Sequence, residues 1–210
     1  MIVTDIKEHN KTKYKVYVDY EFAFVLYKGE LHKYGIKKDA VLPEEIYREL
    51  TQNVLLKRAK LRAMNLLTKR PYTEARLREK LAEAMYPEKC LEQAVAYVKS
   101  FGYLDDKAYA EDYIAYRIES QSRKVIERKL LQKGIDAKVI QECMSALQEE
   151  NVAEMELEQI RNLFHKKYHG KIPQETAEKS KMLQFFARKG YTMSNVKLAL
   201  EENSLDDLYN

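Results

Sequence analysis

The chain opens on a period of two. Ile2, Thr4 and Ile6 alternate with polar neighbours, and Tyr14, Val16 and Val18 share one face opposite Lys13, Lys15, Tyr17 and Asp19. The polar link 8–12 reads as a hairpin loop, and a third apolar run, Phe22 to Tyr27, ends at Lys28-Gly29. Residues 1–50 therefore predict a small β-containing extension. From Pro43 the period becomes helical. Proline loses no needed donor in a first turn, and Glu44 and Glu45 behind it favour the positive end of the helix dipole. A helix is predicted over about 43–69, interrupted, if anywhere, near 51–53.

The remainder repeats. Leu77, Leu81, Tyr86, Leu91 and Val95 recur at identical offsets as Ile126, Leu130, Ile135, Ile140 and Met144, and again as Met182, Phe186, Tyr191, Val196 and Leu200. The first two positions are four apart and share a helix face; the last two define a second helix. The middle residue follows Gly134 and Gly190, where glycine can take the left-handed conformation that ends a helix; Met85 stands in that place in the first copy. Pro87, Asp136 and Thr192 then start the second helix. Pro71 with Thr73, and Ser122 in the second copy, break and restart the chain. A further helix precedes each copy, at about 54–69, 106–119 and 151–168. The expectation is a mainly all-α protein of three tandem three-helix repeats, 51–104, 105–150 and 151–210, forming an elongated curved body behind a small N-terminal β-hairpin or sheet.

Composition narrows the function. No apolar run reaches the roughly 18 residues of a membrane span, the N-terminus lacks the pattern of a secretory signal, and two cysteines suit a reducing cytoplasm. Charge is segregated beneath a net of +4. Residues 1–50 carry nine basic and nine acidic groups, whereas 57–80 hold nine Lys/Arg against two Glu, 117–133 six against two, and 161–189 eight against two. The acids collect in 141–158, with six Glu, and in the tail at Glu201, Glu202, Asp206 and Asp207. Recurring basic windows are a footprint for a polyanion or an acidic protein groove.

Catalytic patterns are absent: there is no dinucleotide fingerprint, P-loop or nucleophile elbow. His165 and His169 have the spacing of two imidazoles on one metal. Lys166, Lys167 and Tyr168 lie between them, so the glutamate of a zinc-protease motif is missing and the local charge repels a cation. Cys90 and Cys143 read as small buried hydrophobes. No enzyme, metal or cofactor is expected. Tyr109, Tyr113 and Tyr116 fall at i, i+4 and i+7, a spacing that favours core packing over base stacking. The candidate binding residues are cationic. The first repeat supplies Arg58, Arg62, Lys69, Arg70, Arg76 and Lys80. The second supplies Arg117, Arg123, Lys124, Arg128 and Lys133, and the third Lys166, Lys167, Lys171, Lys181, Arg188 and Lys189. Lys133 and Lys189 also sit where a cation complements a helix C-terminus.

Particular strings resemble a known family. Arg70-Pro71-Tyr72-Thr73-Glu74-Ala75 running into Leu77-Arg78-Glu79-Lys80-Leu81 is similar to a hallmark of the RecX regulatory proteins. So is Gly102-Tyr103-Leu104-Asp105-Asp106 followed by Tyr109-Ala110, Tyr113 and Arg117. Leu183-Gln184-Phe185-Phe186-Ala187-Arg188-Lys189-Gly190-Tyr191 fits the C-terminal pattern of the family. The resemblance spans roughly 54–202, and the β piece resembles the extension of longer members. It implies a regulator that binds the RecA recombinase filament on single-stranded DNA and restrains its extension, ATP hydrolysis and strand exchange; a cytoplasmic monomer is expected. Two departures stand out: Met85-Tyr86-Pro87 lacks the usual glycine, and so does 118–122. The alternative is a stand-alone nucleic-acid-binding helical module, although the acidic stretch 139–150 makes a poor recognition helix.

Overall fold

A computed structural model describes residues 1–147 and 149–206, and leaves out the side chains of 149, 150 and 202–206. Of the acidic tail, Asp207 and the side chains of Glu202 and Asp206 thus lie outside the described residues. The chain divides into two compact units, 1–105 and 106 onward.

The first unit begins with an antiparallel sheet in the order β1 (Val3–Asn10), β2 (Lys13–Val18), β3 (Glu21–Tyr27). β1 runs further than its loop-like sequence suggested. Asn10 makes the turn itself, its side-chain oxygen accepting from the amides of Thr12 at 3.0 Å and Lys13 at 3.0 Å. The expected inward face of β1 is corrected at its start. Val3 is buried and Ile2 exposed, because an irregularity between Val3 and Asp5 shifts the pairing register and reverses the alternation. Ile6, Val16 and Val18 face inward as the pattern predicts.

The third strand ends with the apolar run, and a short helix, α1 (Lys28–Lys33), follows that the sequence did not signal. The long predicted helix then forms as α2 (Glu44–Arg48), a π-helical stretch (Glu49–Leu55) and α3 (Leu56–Leu67). The π segment coincides with the expected interruption. There the Thr51 hydroxyl donates to the Tyr47 carbonyl at 2.8 Å, and the Cys90 thiol reaches the Thr51 carbonyl at 3.1 Å. Both contacts occupy carbonyls where the α-helical ladder is broken. α4 (Glu74–Glu83) and α5 (Glu88–Ser100) complete the first three-helix module. Val16, Phe24 and Leu26 of the sheet share one core with Leu55, Ala59, Ala63, Leu77, Leu81, Leu91 and Val95. Each of the Val, Leu and Phe side chains among them contributes about 1.5–3 kcal/mol by leaving water.

The second unit holds α6 (Asp106–Arg117), α7 (Arg123–Gln132) and α8 (Ala137–Ser145), then α9 (Glu149–Tyr168), α10 (Thr176–Arg188) and α11 (Met193–Asp206). Every position of the five-residue frame is buried in all three modules except Tyr86, which is half-buried. Thr73, Ser122 and Asp136 cap α4, α7 and α8, each side-chain oxygen accepting a first-turn amide. Gly134 and Gly190 take φ of +81° and +87°, and the amides of Ile135 and Tyr191 donate back to Leu130 and Phe186, closing both helices in the same way.

Met85 holds the equivalent position at φ +60°, so a side chain pays for a conformation that suits glycine. Met85→Gly should stabilise the first unit by about 0.5–1 kcal/mol, the left-handed cost less the extra entropy of an unfolded glycine. Thermal melting followed by circular dichroism checks this, and an unchanged or lower midpoint would show that the half-buried methionine side chain outweighs the backbone.

Candidate functional site

The candidate cations separate into those the fold uses and those it presents to water. Arg58, Lys80, Arg117, Arg123 and Lys133 are half-buried, and the other twelve are exposed.

Arg58 is a strut. It projects from α3 toward the sheet, pairs with Glu30, lies 4.6 Å from the Tyr27 ring centroid and reaches the Val25 carbonyl at 3.5 Å. Both charged partners are about four-fifths buried, and Glu30 also accepts the Tyr27 amide at 2.8 Å. An arginine whose charge is answered this way holds the sheet on the helices. Arg117 keeps its Nε buried without a hydrogen-bond partner, its guanidinium carbon 4.9 Å from the Tyr116 ring. Lys133 lies 5.4 Å from both the Tyr109 and Tyr113 rings, which stack at 11°. The predicted core role holds for those two half-buried tyrosines. Tyr116 departs from it, at 77% exposed, because the core stripe of α6 runs through Ala110 and Ile114 and the tyrosines only flank it.

Among the exposed cations, Arg62 and Lys69 lie seven apart in and just past α3, and therefore share a helical face. Arg70 follows, its guanidinium 4.6 Å from the Tyr72 ring. Arg76 and Lys80 on α4 pair with Glu79 and Glu83 at 2.6 Å, surface contacts of the kind worth little in water. In the second unit Lys124 and Arg128 are one turn apart on α7. Lys181 and Arg188 line α10, with Lys189 at its end. Lys166 and Lys167 close α9, where they complement the dipole; Lys167 also sits 3.7 Å from the Phe185 ring. Lys171 is exposed in the link that follows.

Within the second unit the second and third modules meet through polar groups that sequence reasoning missed. The buried Ser122 hydroxyl caps α7 and donates to the Lys189 carbonyl at 2.7 Å. Gly190 lies so close that a Cβ there would stand 2.5 Å from Ser122 Oγ. Glu156, counted among surface acids by its sequence context, is instead buried. It accepts the Arg123 amide at 2.8 Å and the Asn195 side chain at 3.1 Å. Its carboxylate therefore sits at the positive end of α7. Gln159 donates to the Ile118 carbonyl at 2.7 Å and accepts from the Tyr191 hydroxyl at 2.8 Å. Burial, with the Glu156 charge nearby, pushes that hydroxyl up to about 12, so it remains a donor. A groove of about 480 Å³ opens beside this junction, with Lys129 and Lys189 on its walls. The frame signalled where each module turns; the pairings across modules had no local signal.

Burial pushes the thiols of Cys90 and Cys143 up, as suits small apolar packing. His169 lies past the end of α9 at φ +54°, off the helix that would set its spacing from His165. Among the described residues no group of three or more His, Cys, Asp or Glu could hold a metal ion. No helix among them is long and apolar enough to cross a membrane.

Comparison with known proteins assigns these modules. Family models for the first, second and third three-helix domains of RecX match residues 59–97, 105–144 and 154–200. "Regulatory protein RecX" of Clostridium perfringens is 30% identical, over 89% of this chain and 88% of the relative. The protein of the same name from Clostridium acetobutylicum is 28% identical, over 94% and 93%. Two solved structures share the fold. A crystal structure of regulatory protein RecX has TM-score 0.63 and 23% identity over 96% of this chain and 98% of that one. RecX from Lactobacillus salivarius has TM-score 0.61 and 20% identity over 72% and 98%. Three matched modules in order, on a helical frame that buries the same positions in each, place this chain in the RecX family of regulatory proteins.

Proposed function

We propose that this protein binds the RecA recombinase filament on single-stranded DNA and restrains its extension, ATP hydrolysis and strand exchange, acting as a cytoplasmic monomer without a catalytic step of its own. The observation that carries the reading is the recurrence of exposed cations on the helical modules that, among the described residues, make no ion pair: Arg62, Lys69 and Arg70 in the first unit, Lys124, Arg128 and Lys189 in the second. Repeats 51–104, 105–150 and 151–210 each carry such cations, so one chain offers contacts to several subunits of a helical polyanionic assembly. Linked weak contacts then gain from effective concentration, so few molecules restrain many subunits.

A RecA ATPase assay on single-stranded DNA tests this. Substoichiometric protein should lower the steady-state rate, and lower it less as salt rises. A rate unchanged at stoichiometric protein, with tight duplex binding in the absence of RecA, would favour the stand-alone nucleic-acid-binding module instead.

A further inference from the structure

The outer face of the N-terminal sheet lies outside the three matched family domains. The register places Asp5 and Lys7 of β1, Lys13, Lys15 and Tyr17 of β2, and Phe22 and Tyr27 of β3 on this face, opposite the core residues Val16, Phe24 and Leu26. Three features distinguish it. Tyr17 and Phe22 are cross-strand neighbours whose rings meet at 73° with centroids 6.0 Å apart, and Phe22 is 43% exposed. Lysines flank the rings, with Lys7 Nζ 5.0 Å from the Tyr17 centroid and Lys13 Nζ 5.3 Å from that of Tyr27. Beyond them Tyr20 occupies the β2–β3 turn at φ +70° and is 90% exposed. The turn is pinned there, since the Tyr20 amide donates to the Thr4 hydroxyl at 3.0 Å and the Ile2 amide to Asp19 at 2.8 Å. A hairpin turn of this kind asks for glycine or asparagine; a tyrosine held in a left-handed conformation, out in water, has no folding role to explain it.

The charge on this face is one-sided. Within the strands Asp5 is the acid of this face, shared between Lys7 and Lys38, each at 3.5 Å; Asp19 and Glu21 flank Tyr20 at the turn, where Asp19 accepts the Ile2 amide. Exposed aromatic rings on a sheet, rimmed by lysines, match a single-stranded polynucleotide: bases stack on the rings and phosphates meet the ammonium groups. A duplex hides its bases, and an acidic peptide would use the lysines without needing the rings. We propose that this sheet face is a direct binding site for single-stranded DNA, with Tyr17, Phe22 and Tyr20 as the stacking platform and Lys7, Lys13 and Lys15 as the phosphate contacts. The site is separate from the helical cations, and its test needs no recombinase, so its failure leaves the RecA reading untouched.

Fluorescence anisotropy of a labelled oligothymidylate with the full-length protein at low salt is the measurement. Tyr17→Ala with Phe22→Ala should weaken binding by about 30-fold or more, the loss expected for removing base stacking on two rings. Tyr17→Phe should keep wild-type affinity, because the ring stays. Lys7→Gln, Lys13→Gln and Lys15→Gln together should weaken binding and flatten its salt dependence. Circular dichroism melts of the same variants verify the fold. The proposal is overturned if the wild-type protein does not bind the oligonucleotide, or if the folded alanine variant binds as tightly as wild type. Equal losses for the oligonucleotide and for polyglutamate in the lysine variant, with none in the alanine variant, would also overturn it by showing a generic cationic surface.

Discussion

Gly190→Ala should collapse the docking of the third module on the second. The position carries two separate demands. Its φ of +87° is one that a side chain adopts at a cost of about 1–2 kcal/mol. A Cβ there would lie 2.5 Å from Ser122 Oγ and 3.0 Å from Val125 Cγ2. Ser122 cannot yield cheaply, for its hydroxyl caps α7 and bonds the Lys189 carbonyl from a site only 1% exposed. Displacing it strands buried polar groups, at about 1–3 kcal/mol. The sum, about 3 kcal/mol, lowers the melting temperature of a unit this size by roughly 10–20 °C. A double-mutant cycle with Ser122→Ala separates the two demands. If the oxygen contact dominates, the double variant loses less than the sum of the singles. Strict additivity would reduce the effect to the backbone alone.

That junction also marks where reading the chain stops being sufficient. The five-residue frame, the helix starts at Thr73, Ser122 and Asp136, and the left-handed ends at Gly134 and Gly190 are all local: each depends on residues within a turn or two, and each was legible. Ser122 was equally legible as a cap. Its second role, donating to a carbonyl 67 residues away, was not, since nothing near Ser122 or Lys189 specifies the pairing. Glu156 shows the same limit. It sits among acids in a polar stretch, where a surface position is the natural inference, and the approach of the α7 N-terminus and of the Asn195 side chain makes burial of its carboxylate tolerable. Arg58 looked like one cation in a basic window, yet Val25 and Tyr27 come from β3 and Glu30 from α1, 28 to 33 residues earlier.

The sheet makes the point on a smaller scale. Period-two alternation identified β1 but misassigned its first inward residue, because one register shift between Val3 and Asp5 reverses every parity argument behind it. Alternation did put Lys13, Lys15 and Tyr17 on one face of β2; what it could not show is the pairing that brings Lys7 of β1 and Phe22 of β3 beside Tyr17. Counting along the chain averages over faces; the fold separates them.

The same separation decides which cations to reverse. Arg62→Glu, Lys69→Glu and Arg70→Glu form one set, on the first unit. Lys124→Glu, Arg128→Glu and Lys189→Glu form the other, on the second. All six residues are exposed, so their folding cost is small, within about 0.5 kcal/mol each. Because binding through both sets is multiplied by effective concentration, either triple reversal should raise the protein needed for half-inhibition of the RecA ATPase about 100-fold, and the combined variant should not inhibit. Arg76→Glu with Lys80→Glu is the informative contrast. Glu79 and Glu83 already answer those charges, and Lys80 is half-buried, so this pair should cost far less inhibition than either triple set. Helical circular dichroism must stay at the wild-type level throughout. If the folded six-site variant still inhibits as wild type does, the helical cations do not carry the contact. If the Arg76 and Lys80 pair is the more damaging, the contact instead runs along α4, through charges that leave their acidic neighbours for the filament.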